Sequence, residues 1–290
     1  ARRRGRSRHL LTGMARGRLV IVPTPIGNLE DMSARARREL DEADVVLAED
    51  TRRTRALLSH LGIHKPLERL DAQVERRDVD ELIARLASGT RMALVSDAGT
   101  PVVSDPGAAL VRAAAQAEIE ICALPGASAV TTALAGSGFA ADRFRFVGYL
   151  PRSGGDRRVA LALIAGTEET VVFFEAPQRM ARTLLECAEL MPSRDIAIAR
   201  ELSKLHEEWI RGPLEGVAKE QSAREWQGEL TVVLAPHRHE RARISEEELD
   251  TRIDELAARG MRPRDIAKAL ALESDWPSRT IYARITARRK

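Results

Sequence analysis

Through the first half of the chain, short runs of consecutive apolar residues alternate with longer stretches whose apolar positions recur every three or four residues. GRLVIVPTPIG reads as a buried strand leaving into a Pro/Gly turn, MSARARRELDEAD has helical spacing, and VVLAED is a short strand. TRRTRALLSHLG reads as a helix ending at Gly62, VDELIARLASG as another Gly-ended helix, and RMALVSD as a strand. Ser104-Asp105-Pro106-Gly107 opens the helix AALVRAAAQA, with Pro and an acidic residue at the start as helix N-termini favour. IEICALPG gives strand and turn, and ASAVTTALAGSG a helix of small residues. This alternation predicts an open, mostly parallel α/β sheet over residues 17–138.

From about residue 140 the strands come closer together: FRFVGYLP, TVVFFEAP, DIAIARELS, EEWIRG and GELTVVLAP, with two helices between them. A second α/β domain with a mixed sheet is expected over 139–236. APHRHERAR (235–243) is a polar linker. Ser245 and Glu248 then form a capping box that starts a helix-turn-helix-like segment over 245–290. The expected fold class is therefore α/β, two α/β domains plus a small C-terminal helical domain.

Charge changes this picture little. Lys and Arg total 46 against 43 acidic residues, a net charge of +3 that permits contact with nucleic acid without arguing for it. The basic runs are terminal, ARRRGRSRH and ITARRK, and residues 1–16 read as a disordered basic extension. Cys122 and Cys187 form neither a CxxC nor a Cys/His cluster, so no metal site or disulfide is expected. No apolar run has the length of a membrane span and no secretory signal is visible, so a cytoplasmic location without membrane contact is expected.

Ligands of an open α/β sheet sit beyond the C-terminal ends of its strands. Four loops fall at that edge: PTPIGN (23–28), AEDTRRT (48–54), SDAGTPVVSDPG (96–107) and LPGASA (124–129). Each is richer in Pro, Gly, Ser, Thr or Asp than a bare connection requires. None is a GxxxxGK[ST] or GxGxxG phosphate loop. Asp, Thr, Ser and backbone groups suit a ligand that lacks phosphates and carries an amine, a carboxylate and a ribose.

VPTPIGNLEDMSARA, ADVVLAEDTRRTRALLSHLGI, SDAGTPVVSDPG, LPGASAVTTAL, FEAPQR and RELSKLHEEWIRG, in this order and spacing, closely resemble the ribosomal RNA small-subunit methyltransferase I family. That family lies in the tetrapyrrole-methylase-like class of S-adenosylmethionine enzymes. The resemblance covers roughly residues 17–290. It implies 2′-O-methylation of a cytidine ribose in the decoding region of small-subunit (16S) ribosomal RNA. It also implies a homodimer and S-adenosylmethionine held between the two α/β domains. The chain departs from the family pattern with RELSK in place of RELTK and with YLPRSGGDRR, whose Gly154-Gly155 pair suggests a mobile loop.

By resemblance, Pro25 and Gly27 line the floor of the cofactor cleft, and Asp97, Gly99, Thr100 and Pro101 form the cofactor loop. Ser128 and Ala129 carry the adenosine or methionine part, and Phe174 and Glu175 border the cleft from the second domain. Ser128 also reads as a helix cap and Glu175 as an ion-pair partner of Arg179. Methyl transfer to a hydroxyl needs alignment and a proton acceptor. Glu49, Asp50 and Arg52 are the catalytic candidates, with Asp50 favoured as proton acceptor or its orienter and Arg52 set on RNA phosphate. Arg53, Arg200, Lys204, Arg279 and Arg284 are the candidates for RNA contact, and His206 reads as an ordinary surface or hydrogen-bonded residue. Aromatic residues make up 3% of the chain and none lies in the four loops, which favours sugar over base as methyl acceptor. The alternatives are a tetrapyrrole or precorrin methylase, with diphthine synthase weaker, and a non-catalytic RNA-binding assembly factor. The first two usually carry a GxGPGD-type first loop where this chain has PTPIGNLED.

Overall fold

The computed structural model describes residues 17–237 and 244–288; the expected basic extension (1–16) and most of the linker lie outside the described residues. The first domain runs β1 (Arg18–Ile21), α1 (Ala34–Glu42), β2 (Val45–Ala48), α2 (Thr51–His60), β3 (Leu67–Arg69), α3 (Ala72–Ala87), β4 (Arg91–Val95), α4 (Ala108–Gln116), β5 (Glu120–Ala123) and α5 (Ala129–Ser137). Its five strands are all parallel in the order β3-β2-β4-β1-β5. Parallel strands are covered by helices on both faces and therefore read as unbroken apolar runs. RLVI, VVLA and RMALV are buried almost throughout, between separate apolar clusters on the two faces. β3, the three-residue LER, does not stand out in the sequence because a short edge strand needs no apolar face.

The second domain runs β6 (Phe144–Tyr149), α6 (Gly154–Ala165), β7 (Thr170–Glu175), α7 (Pro177–Leu190), β8 (Asp195–Arg200), β9 (Glu208–Pro213), α8 (Leu214–Gln221) and β10 (Leu230–Leu234). The sheet order is β6-β7-β10-β8-β9, with β6 parallel to β7 and the remaining pairs antiparallel. The expected mixed sheet is present. The expected mobile loop at Gly154-Gly155 is not: both glycines form the first turn of α6, after Ser153 at its N-cap. The tail is α9 (Glu246–Ala258), α10 (Pro263–Glu273) and α11 (Ser278–Arg288), packed on its own apolar core of Leu249, Ile253, Ile266, Leu270, Ile281 and Ile285.

The two sheets meet through α5. Val130, Ala133 and Leu134 share a buried cluster with Val172, Ala197, Ala199 and Val233 of the second sheet. A helix that closes the first domain in sequence thus packs on the sheet of the second. Its small residues allow the approach. A Cβ on Gly136 would lie 2.5 Å from the Trp209 ring.

The loop carrying Asp105 is anchored from behind. α4 starts at Gly107 without a side-chain cap of its own. The buried Glu75 carboxylate on α3 accepts the Gly107 N–H at 3.1 Å and the Leu110 N–H at 2.8 Å. An anion at a helix N-terminus satisfies donors that have no partner within the helix. Asp105 is thereby released from the capping role its sequence position suggests. Glu75→Ala is expected to lower stability by about 2 kcal/mol, the scale for a buried charged hydrogen-bonding group, measured as a drop in the urea midpoint.

Candidate active site

A cleft opens where the C-terminal ends of the first sheet's strands face the second sheet. One wall comes from the loops after β2, β4 and β5, with Glu49, Asp97, Thr100, Asp105 and Ser128. The other comes from the ends of β6 and β7 and the start of β10, with Tyr149, Phe174, Glu229 and Thr231. Its volume is about 250 Å³.

The loops are fastened to one another from behind. Thr24 and Gly99 exchange backbone hydrogen bonds of 2.9 Å in each direction, and Gly99 adopts φ +82°, which suits glycine. Thr24 Oγ1 donates to the Ser96 carbonyl at 3.0 Å, and Thr100 Oγ1 donates to the Ala127 carbonyl at 3.0 Å. Two residues beside Asp105 hold left-handed backbone, Val102 at φ 75° and Ser104 at φ 67°. A β-branched residue there is strained, a cost that such loops accept where a side chain must be aimed. Ser128 sits at the N-cap of α5 but makes no capping hydrogen bond, so its hydroxyl remains available to the cleft.

Carboxylates dominate the first wall. Burial, followed by the charges of Glu49 and Asp97, pushes the Asp105 carboxyl up to about 6, against a hydrogen bond from Ser96. Burial and the charges of Asp97 and Asp71 raise Glu49 in the same direction, opposed by Arg53 and Arg69. Arg53 is the one cation on the cleft wall among the described residues, 3.3 Å from Asp97. Four acids, Glu49, Asp97, Asp105 and Glu229, and one Arg in a partly desolvated space favour a cationic ligand.

The remaining expected site residues fall elsewhere. Gly99 and Pro101 are buried behind the wall that Ala98 and Thr100 form. Pro25 and Gly27 do not line the cleft, which corrects their place on its floor. A Cβ on Gly27 would lie 2.3 Å from Lys204 Cγ and 2.8 Å from the Leu202 carbonyl, so this glycine serves a close contact between the domains. Asp50 is also corrected. It caps α2 by accepting the Arg52 N–H at 2.8 Å, and hydrogen bonds from the Arg52 side chain and backbone hold its carboxyl below the usual range. An acid held ionised in this way is a poor proton acceptor, and Arg52 pairs with it at 3.3 Å.

Glu175 turns away from the cleft into the second domain, correcting its assignment to the cofactor. Its buried carboxylate meets Arg179 at 2.5 Å and Arg157 at 3.6 Å and accepts the Thr183 hydroxyl at 2.6 Å. Phe174, beside it, does face the cleft, as does Ala129. Arg200 pairs with Glu208, and Lys204 bridges Glu201 and Glu229 at 2.8 and 3.1 Å. Arg284 is held by Asp250 and Glu246, which corrects its assignment to RNA phosphate, whereas Arg279 is exposed and makes no ion pair with any described residue. Asp105, Tyr149, Glu229 and Thr231 are cleft residues that sequence reading missed. The second SD pair of SDAGTPVVSDPG was the available signal for Asp105; the others required the docking of the second sheet.

The sequence profile of the tetrapyrrole (corrin/porphyrin) methylases matches residues 18–218. Ribosomal RNA small subunit methyltransferase I of Thermotoga maritima is 44% identical over 219 residues, 76% of this chain and 98% of that protein. The protein of the same name from Synechocystis sp. is 40% identical over 268 residues, 92% of this chain and 96% of its own length. The chain belongs to this methyltransferase family. Among solved structures, uroporphyrin-III C-methyl transferase from Thermus thermophilus, complexed with S-adenyl homocysteine, superposes with a TM-score of 0.55 at 20% identity, covering 75% of this chain and 97% of that one. Diphthine synthase gives 0.56 at 18% identity, covering 76% and 91%. At that identity both show the shared fold.

The methylase's stability carries the signature of Asp105. The folded protein holds that proton up to about pH 6, whereas an unfolded chain releases it near pH ~4. The folded state therefore binds more protons between those values, and this group's contribution falls as pH rises from about 4 to 6. Asp105→Asn is expected to flatten that part of the urea-midpoint profile and to be the more stable protein above pH 6.

Proposed function

We propose that this methylase transfers a methyl group from S-adenosylmethionine to the 2′-hydroxyl of a cytidine ribose in the decoding region of 16S ribosomal RNA. The observation that carries this reading is the acidic cleft between the domains, taken with relatives named for small-subunit ribosomal RNA that span most of the chain. The donor set fits the cofactor. Asp97, Asp105 and Glu49 suit its positive charge, Ser128, Thr100 and Thr231 suit ribose and carboxylate groups, and Phe174 gives an apolar wall. When bound, the cofactor supplies an electrophilic methyl carbon.

The chain's own residues then have three tasks. The fastened loops hold the reacting partners within a near-attack distance of roughly 3 Å. Asp105, ionised at neutral pH but with a carboxyl near 6, is suited to accept the hydroxyl proton, in place of Asp50. Arg53, beside Asp97 and exposed, is suited to the phosphate flanking the ribose. Among the described residues no cluster of His, Cys, Asp and Glu is arranged to hold a metal ion, and no helix is long and apolar enough to cross a membrane. A homodimer acting in the cytoplasm on the 30S particle or on 16S ribosomal RNA completes the reading.

Asp97→Ala is expected to weaken cofactor binding at least tenfold by calorimetry. Asp105→Asn is expected to lower kcat by about 10²-fold, the scale of a lost general base. Nucleosides from subunits methylated in vitro should carry the methyl on the sugar fragment in mass spectrometry; a methyl on the free base would overturn the ribose assignment.

The tail is read as an RNA-binding unit. Arg262, Arg264, Lys268 and Arg279 are exposed, and no ion pair to a described residue neutralises them. Deleting residues 245–290 should leave cofactor affinity unchanged and weaken subunit binding, with a shallower salt dependence. Unchanged subunit binding would make the tail purely structural.

A further inference from the structure

The four loops of the first domain contain no aromatic residue, yet the cleft has two, both from the second domain. β6 and β7 pair as Phe144↔Thr170, Arg145↔Val171 and Phe146↔Val172, but the next pair is Tyr149↔Phe174. Three steps along β6 therefore match two along β7. Gly148 takes up the extra residue at φ +68°, a left-handed conformation that glycine adopts without a Cβ penalty.

The bulge decides where Tyr149 points. Side chains alternate along a strand, so regular pairing would put residues 146 and 149 on opposite faces. The extra residue restores them to one face. Phe146 meets the Phe174 ring edge-on at 5.0 Å between centroids, and Tyr149 meets the same ring at 5.4 Å. Gly148 also allows the loop after β4 to come close, since a Cβ on it would lie 3.4 Å from Ser104 Oγ. Tyr149 thus stands across the cleft from the Asp97–Asp105 loop with its side chain largely open to solvent, 59% exposed.

We propose that Tyr149 stacks on a nucleobase of the RNA substrate at the mouth of the cleft, holding it while the attached or neighbouring ribose reaches inward. This rests on the reading of RNA ribose methylation and adds the group that positions the base. Phe174, half-buried and packed between Phe146 and Tyr149, is part of the inner wall, and Tyr149 is the aromatic that a ligand entering from solvent meets. An exposed ring backed by another aromatic favours a flat apolar partner. The neighbouring charges rule against a phosphate at this spot. Burial, followed by the charges of Glu229 and Asp105 and opposed by Arg179, raises the Tyr149 hydroxyl above its ordinary value, so the ring is neutral. The two carboxylates repel RNA backbone, and the neutral ring beside them takes the face of a base.

The test uses the full-length protein and small ribosomal subunits lacking the modification. Tyr149→Leu is expected to raise both KM and equilibrium Kd for subunits roughly tenfold, the scale of one lost base–aromatic stack. Its calorimetric Kd for S-adenosylmethionine should stay within twofold, which also reports an intact cleft. Tyr149→Phe and Tyr149→Trp should keep subunit affinity near wild type. Two results would overturn the proposal: a Leu variant that binds subunits as wild type does, or one that loses cofactor affinity and keeps subunit binding, which would assign the ring to the adenine. Wild-type protein that binds cofactor but leaves subunits unmethylated would instead remove the functional reading, and the stacking role with it.

Discussion

The apolar seam between α5 and the second sheet is the contact on which the rest of the site depends. Val130, Ala133 and Leu134 are buried against Val172, Ala197, Ala199 and Val233, and Leu202 and Ile26 close the same cluster from the two flanking loops. Burial of apolar area on this scale outweighs any single polar contact in the cleft. It sets the distance between the strand ends of one sheet and the face of the other. Gly136 against Trp209 and Gly27 against Lys204 are the positions where a Cβ would force the domains apart. A hydrogen bond from Ser203 to Asp31 pins the same two loops at the surface.

With the walls fixed at that separation, the electrostatics follow. Glu49, Asp97 and Asp105 enter a shared space in which burial and the charge of Asp97 raise Glu49, and burial with the charges of Glu49 and Asp97 raises Asp105. Carboxylates gathered in this way favour a cation among them. Of the basic side chains nearby, Arg53 meets Asp97, and most of the others are committed elsewhere. Lys204 is held by Glu201 and Glu229, Arg52 by Asp50, and Arg157 and Arg179 by the buried Glu175. The Glu175 network has its own consequence at the cleft. Arg157 donates to the Pro151 carbonyl and Arg179 to the Leu150 carbonyl, so the segment after Tyr149 is tied to the corner after Phe174. The two aromatic residues are held relative to each other by an ion pair that neither touches.

The same distinction between a charge and its availability governs the helical tail. Arg284 and Arg288 look like a basic recognition surface along the chain, yet both fold back onto Asp250, and Arg288 also onto Asp254. They fasten α11 to α9. Among the described residues, the exposed basic side chains of the tail that no ion pair holds are Arg259, Arg262, Arg264, Lys268 and Arg279.

What the sequence by itself determined is the part controlled by local periodicity and turn chemistry. Unbroken apolar runs alternating with amphipathic helices establish a parallel sheet, and Pro, Gly, Ser and Asp clusters mark the loops at its C-terminal edge. Asp97, Thr100 and Ser128 were legible because each lies in such a loop and faces what the loop faces. Tertiary structure alone decided the rest, because a side chain's role depends on partners remote in sequence. Glu175 is apolar-flanked on a strand that ends at the cleft, but Arg157 and Thr183 draw its carboxylate inward. Asp50 and Asp97 look alike in their motifs until α2 takes one as its cap. Asp105 reads as a cap until Glu75, thirty-two positions before Gly107, satisfies the Gly107 N–H. Tyr149 reads as facing away from Phe146 by strand alternation, and one glycine-borne bulge turns it into the cleft.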